Sequence, residues 1–150
     1  MYQRILVAVD GSDHSRCAAL AGAKLARSVG ATLMLLTVYH QPPDYLGEPN
    51  YSEALEKARD EAAELLAAEV EAIVADGGPE PRTEALGGKP ETVILDAASS
   101  GRYDLLLMGT RGRGRLESAL LGSVSSHVAA HSPIPVQIVK GEDGPAAPAT

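Results

Sequence analysis

The chain has 150 residues, a net charge of −7 and a pI near 5.0, which describes a protein of one-domain size with an acidic surface. This charge argues against a nucleic-acid-binding protein, because neutralising phosphates requires clustered Lys and Arg. Cys17 is the single cysteine, so the chain can form neither an intramolecular disulfide nor a thiolate metal cluster.

In the first half of the chain, short apolar runs alternate with amphipathic stretches. Continuous runs rich in β-branched residues are typical of strands buried on both faces. Apolar residues at helical spacing, Cys17 among them, lie between a candidate N-cap at Ser12 or Asp13 and a stop at Gly30, which predicts a helix. The predicted elements are a strand at Ile5 to Val9, a helix from Asp13 to about Ser28, a strand at Thr32 to Val38, a Pro-containing loop through Asn50 and a helix from Ser52 to Ala75.

The second half continues the alternation. The predicted helix from Ser52 to Ala75 has an apolar stripe that includes Val74, and acidic residues lie on its other side. Residues 141–150 are rich in Gly, Pro and Ala and have no periodicity, so we expect a disordered tail there. Residues 1–140 are then the folded domain. The predicted elements are a strand at Arg82 to Leu86, a helix from about Pro90 to Ser100, a strand at Asp104 to Met108, a helix from Glu117 to His131 and a strand at Ile134 to Val139.

Alternating strands and helices predict an α/β fold with one doubly wound, parallel, five-stranded sheet and helices on both faces. Ligands of such sheets bind beyond the carboxyl ends of the strands, where the strand order reverses. We therefore expect a site among the loops that follow the first, second and fourth strands.

A glycine-rich segment follows the fourth predicted strand. It begins at Gly109 and Gly112, and the pair Gly122-Ser123 comes later. Glycines allow successive backbone N–H groups to turn toward an anion, so a phosphate could bind here. The segment also carries three cations of this acidic chain, Arg111, Arg113 and Arg115.

Two common phosphate motifs do not fit the spacing. A Walker A loop needs Lys followed by Ser or Thr, but Gly114 is followed by Arg115 and Leu116. The Rossmann G-x-G-x-x-G is also absent. A plain turn with solvated arginines therefore remains an alternative to phosphate binding.

The glycine spacing resembles the ATP-binding signature of the universal stress protein family: Gly109, two residues, Gly112, nine residues, then Gly122-Ser123. The resemblance extends over nearly the whole chain, from Ile5 to Val139. It implies the sheet order 3-2-1-4-5, ATP as ligand, Mg or Mn bound through the phosphates, and a stress-response or signalling role with slow or no hydrolysis.

The resemblance also implies individual roles. Asp10 would contact the ribose or a metal, although a turn residue after the first strand is the alternative interpretation. Ala8, where many members have proline, and Val38 would border the adenine through backbone atoms. The residues implied to surround ribose and phosphates are Met108, Gly109, Gly112, Gly122, Ser123 and Val124, the last three from within a helix.

Other candidate sites are weaker. His127 and His131 have a spacing that can share a metal, but no third ligand is apparent. Ser12, Asp13 and His14 supply the residue types of a catalytic triad, yet adjacent residues cannot form its hydrogen-bond chain. We therefore predict no catalytic residues. The main alternative is an ATP-consuming enzyme, an ATPase or a nucleotidyl transferase of a related α/β type.

The last predicted strand, Ile134 to Val139, carries no charge. In the implied sheet order it lies at an edge, where unpaired backbone groups invite a second strand. We predict a homodimer through this strand, and a protein partner whose identity the sequence does not give. No apolar run approaches the roughly 18 residues of a membrane span and no signal-peptide pattern opens the chain, so we expect a cytoplasmic protein.

Overall fold

The computed structural model describes residues 2–110 and 121–141. Five parallel strands form one sheet in the order β3-β2-β1-β4-β5, which confirms the predicted fold class and sheet order. The strands are β1 (Arg4–Ala8), β2 (Thr32–Tyr39), β3 (Arg82–Gly87), β4 (Leu105–Gly109) and β5 (Val136–Val139). The helices are α1 (Asp13–Val29), α2 (Asn50–Ala75), α3 (Pro90–Ala98) and α4 (Ser123–His131), and a 3₁₀ turn spans Asp44–Leu46.

Alternate residues of each strand point to opposite faces of the sheet and build two cores. Ile5 and Val7 of β1 belong to the core that α1 and α2 cover. Leu6 and Ala8, from the same strand, belong to the core that α3 and α4 cover. Burial on both faces explains why the central strands are continuous apolar runs. Among the described residues, no helix is long and apolar enough to span a membrane.

Helix α1 has the predicted boundaries. Its N-cap is Ser12, whose Oγ accepts the N–H of Ser15 at 3.1 Å, and Gly30 ends it in the left-handed conformation at φ 73°. The predicted register was only partly right, because Cys17 is half-buried rather than a core residue. The face that packs on the sheet consists of small residues, Ala18, Ala19, Gly22, Ala23 and Ala26.

Helix α2 buries part of the predicted stripe, Ala62, Leu66 and Ile73, together with an acidic residue that the pattern does not predict there. Val74 was placed in the stripe but is 49% exposed. Glu69 was assigned to the acidic outer side but is 1% exposed. The buried positions are Ala62, Leu66, Glu69 and Ile73, at spacings of three and four residues that keep them on one side of the helix.

The last two elements start later than predicted. Helix α4 begins at Ser123, so Gly122 is its N-cap and not a residue within it; residues 117–120 of the predicted helix lie outside the described range. Strand β5 begins at Val136, because the N–H of Ile134 donates to Ser132 Oγ at 3.2 Å in a turn and Pro135 has no N–H. Gly141, the first residue of the predicted tail, is buried and donates its N–H to His14, whereas residues 142–150 lie outside the described range.

Candidate functional site

A cleft of about 1090 Å³ opens at the carboxyl edge of the sheet. The chain leaves β1 toward β2 on one side, while β4 lies on the other side of β1, so the strand order reverses between β1 and β4. This is the position where open α/β sheets bind ligands. The ends of β1, β2 and β4, the start of α4 and one side of α2 line the cleft.

The structure brings together all of the predicted site residues that it describes. Gly112 and the three loop arginines lie outside the described residues. The predicted residues that line the cleft are Ala8 and Asp10 at the end of β1, Val38 in β2, Met108 and Gly109 in β4, and Gly122, Ser123 and Val124 at the start of α4.

Asp10 has a structural role in the turn that follows β1. Its Oδ1 accepts the N–H of Ser12 at 3.0 Å, and its own N–H donates to Ser15 Oγ at 3.2 Å. Gly11 between them has φ 84°, a conformation that other residues rarely adopt. The turn fixes the carboxylate of Asp10 at the wall of the cleft. Contact with a ribose or a metal stays a prediction.

Two hydrogen bonds join the two ends of the glycine segment. Gly122 donates its N–H to the carbonyl of Thr110 at 2.7 Å, and Ser125 Oγ donates to the carbonyl of Gly109 at 2.8 Å. The end of β4 and the first turn of α4 are therefore held side by side. Within the described residues, no side chain caps α4, so its first N–H groups retain the partial positive charge of a helix N-terminus beside the cleft.

The requirement for glycine at position 109 comes from packing. A Cβ on Gly109 would lie 2.7 Å from both the carbonyl carbon and the carbonyl oxygen of His14, in the first turn of α1. These are backbone atoms of a buried helix, which cannot move without displacing the core. Gly109 thus allows α1 to approach β4, and this role is independent of any ligand.

An ion pair in the wall of the cleft was missed by the sequence analysis. Glu69 of α2 is buried, and its Oε1 accepts a hydrogen bond from Arg16 Nε of α1. Burial raises the pKa of Glu69 above its ordinary value; the contact with Arg16 opposes this shift, and the negative charge of Asp10 adds to it. Glu69 lies three residues after Leu66, a spacing that indicates the same side of the helix. Its charge instead led to the prediction that it lies on the outer side.

The His127 and His131 pair is a helix-surface contact. The two rings stack with centroids 4.4 Å apart, and Nδ1 of His131 lies 2.8 Å from the carbonyl oxygen of His127. Across residues 2–110 and 121–141, no group of three or more His, Cys, Asp or Glu is arranged to hold a metal ion.

The sequence pattern of the universal stress protein family matches residues 1–140 of the chain. The chain belongs to this family. A universal stress protein of Thermus aquaticus is 44% identical over 140 residues, which is 93% of this chain and all of the relative.

Solved structures of universal stress proteins have the same fold. One from Lactobacillus plantarum superposes with a TM-score of 0.81 at 27% identity, over 92% of this chain and 97% of its own. Another, determined in complex with cAMP, superposes with a TM-score of 0.75 at 26% identity, over 94% and 99% of the two chains.

Proposed function

We propose that this universal stress protein binds ATP in the cleft at the carboxyl edge of its sheet. The observation that carries the proposal is the closure of the glycine segment, whose two ends meet through Thr110 and Gly122 beside the N-terminus of α4. Backbone N–H groups and a helix N-terminus together favour an anion such as a phosphate. The related universal stress protein that was determined with cAMP supports an adenine nucleotide as the ligand class.

The cleft has room and chemistry for each part of the nucleotide. Its volume of about 1090 Å³ reaches from β2 to α4. We assign the adenine to the backbone at Ala8 and Val38 and the ribose to the neighbourhood of Asp10. The phosphates are assigned to Gly109, Gly112, Gly122, Ser123 and Val124. Mg²⁺ or Mn²⁺ fits beside the carboxylate of Asp10, since such ions are held by one or two carboxylates together with substrate phosphates.

Any hydrolysis is expected to be slow. Two of the carboxylates that line the cleft are engaged by the fold, Glu69 with Arg16 and Asp10 with the turn at Ser12. Phosphoryl transfer depends on a group that orients the attacking water. We therefore propose that the nucleotide serves as a signal, read by a protein partner during the stress response, and not as a substrate.

The edge strand β5 is the proposed dimer interface. The carbonyls of Pro135 and Val139 accept N–H groups of Leu106 and Thr110, so these residues face β4. Because backbone direction alternates along a strand, the N–H of Ile138 points to the outer edge. The opposite edge, β3, carries charged residues, which natural sheets use to block pairing, whereas β5 carries none.

Calorimetry on nucleotide-stripped protein tests the central proposal. ATP should bind with micromolar or tighter affinity, and cAMP should compete with it if both use the same adenine pocket. No heat of binding for ATP would overturn the proposal. A turnover faster than about one per second, which is within the ordinary range of enzymes, would favour the ATP-consuming enzyme instead.

A further inference from the structure

His14 is buried in the first turn of α1, only 2% exposed, although its ring is polar. Its Nδ1 lies 2.9 Å from Thr110 Oγ1 and 3.2 Å from the backbone nitrogen of Gly141. The N–H of Gly141 can only donate, so Nδ1 must be an unprotonated acceptor. The hydroxyl of Thr110 is then also a donor to this nitrogen. These contacts assign Nδ1 as an acceptor whose single lone pair the two donors share.

Thr110 makes three contacts with three different parts of the chain. Its carbonyl accepts the N–H of Gly122, and its hydroxyl contacts His14. Its N–H donates to the carbonyl of Val139, at the end of β5, at 3.1 Å. One residue thus connects both ends of the glycine segment to α1 and to the edge strand.

The backbone at Gly109 and at Gly141 approaches His14 closely. A Cβ on Gly141 would lie 2.6 Å from Nδ1, and a Cβ on Gly109 would lie 2.7 Å from the carbonyl of His14. Glycine at both positions lets the ring of His14 fit between the end of β4 and the residue where the chain leaves β5. Because Nδ1 of His14 contacts both Thr110 and Gly141, a shift at Thr110 would act on His14 and through it on Gly141.

We propose that His14 and Thr110 are positioning residues that couple occupancy of the nucleotide cleft to the backbone at Gly141. A phosphate bound to the N–H groups near Gly109 and Gly122 holds Thr110 in place and so favours its bonds to His14 and Val139. By linkage, the same bonds favour the nucleotide-bound arrangement. The part of this inference that concerns bound nucleotide rests on the proposed function.

Amide hydrogen exchange, followed by NMR at Gly141, tests the coupling. Saturating ATP should slow exchange at Gly141 in the wild type. Thr110→Val keeps the shape of the side chain but removes the hydroxyl, so it should abolish most of this slowing and weaken ATP binding about fivefold, the factor for one typical net hydrogen bond. Thr110→Ser should restore both. Unchanged exchange at Gly141 in wild type that binds ATP would overturn the coupling.

Thr32→Val is the matched control. Its hydroxyl also makes one hydrogen bond, to the carbonyl of Gln3 at 3.4 Å, but it lies at the first residue of β2, at the end of the strand away from the cleft. This variant should bind ATP like the wild type and show the same slowing at Gly141. An equal loss in both Thr→Val variants would mean a general effect on stability and would refute the positioning role.

A ligand-free experiment separates this inference from the proposed function. Nitrogen NMR of His14 should show an unprotonated Nδ1. His14→Leu should speed exchange at Gly141, and His14→Asn, whose Oδ1 can replace the acceptor, should restore part of the protection. If His14→Leu does not fold, Thr110→Val without nucleotide reports the same contact. If the wild type binds no ATP but passes these tests, the proposed function and the coupling are refuted, and the contacts of His14 with Thr110 and Gly141 are established. A protonated Nδ1 refutes these contacts.

Discussion

Gly109→Ala should destabilise the protein even when no nucleotide is present. The added Cβ would lie 2.7 Å from backbone atoms of His14, so α1 and β4 must separate. Overpacking of this kind costs about 1–3 kcal/mol, whereas replacing a glycine lowers the entropy of the unfolded chain and returns only about 0.4–1 kcal/mol. The net loss should lower the melting temperature by several degrees, at roughly 2–4 °C per kcal/mol for a chain of this size.

The matched control is Gly87→Ala. Its Cβ would also make short contacts, 2.8 Å to Gln41 Cγ and 2.9 Å to Tyr39 Cε2, but these atoms belong to side chains, one exposed and one half-buried, and not to the backbone of a neighbouring helix. Calorimetric or urea unfolding of both variants and the wild type, without nucleotide, provides the comparison. If Gly109→Ala kept wild-type stability and lost only ATP affinity, the glycine would serve ligand approach and the packing explanation would be wrong.

Three further predictions concern the buried Glu69, the edge strand β5 and the proposed phosphate site. Because burial raises the pKa of Glu69, the folded state binds its proton more tightly than the unfolded state, and wild-type stability should fall as pH rises from the ordinary value of 4.5 through the raised one. Glu69→Gln should remove this fall in urea titrations across pH; an identical pH dependence in both proteins would contradict the assignment. Ile138→Pro should shift sedimentation toward monomer while Ile138→Ala, which keeps the outward N–H, remains dimeric; monomeric wild type at tens of micromolar would reject the interface. Gly122→Val should weaken ATP binding at least tenfold by calorimetry while unfolding stability drops by only about 1 kcal/mol, the scale of a lost N-cap preference, and unchanged affinity would remove Gly122 from the phosphate site.

The sequence predicted the fold where one local signal was sufficient. Continuous apolar runs indicated buried parallel strands, and the Ser12 and Gly30 signals gave both ends of α1. The order of the strands came from the family resemblance. The start of β5 was missed because a turn at Ser132 uses the N–H of Ile134, a contact that apolar composition does not reveal.

The candidate site was predicted less completely, because its walls come from distant parts of the chain. Glu69 is an acid in a helix whose partner, Arg16, is 53 residues away, and only the folded packing shows that the pair is buried. The contact between His14 and Gly141 spans 127 residues. Helical periodicity shows which residues share a face, but it does not identify what that face meets.

The bond between Gly122 and Thr110 holds the two ends of the glycine segment together. The position of these ends therefore does not depend on the chain between them. Since its ends are joined by the fold, the chain between them forms a ring whose closure cost grows slowly, by about 0.6 kcal/mol for each doubling of length. A longer or shorter chain between Thr110 and Gly122 therefore changes the stability of the fold only by this small closure cost, as long as the bond that joins the two ends is kept.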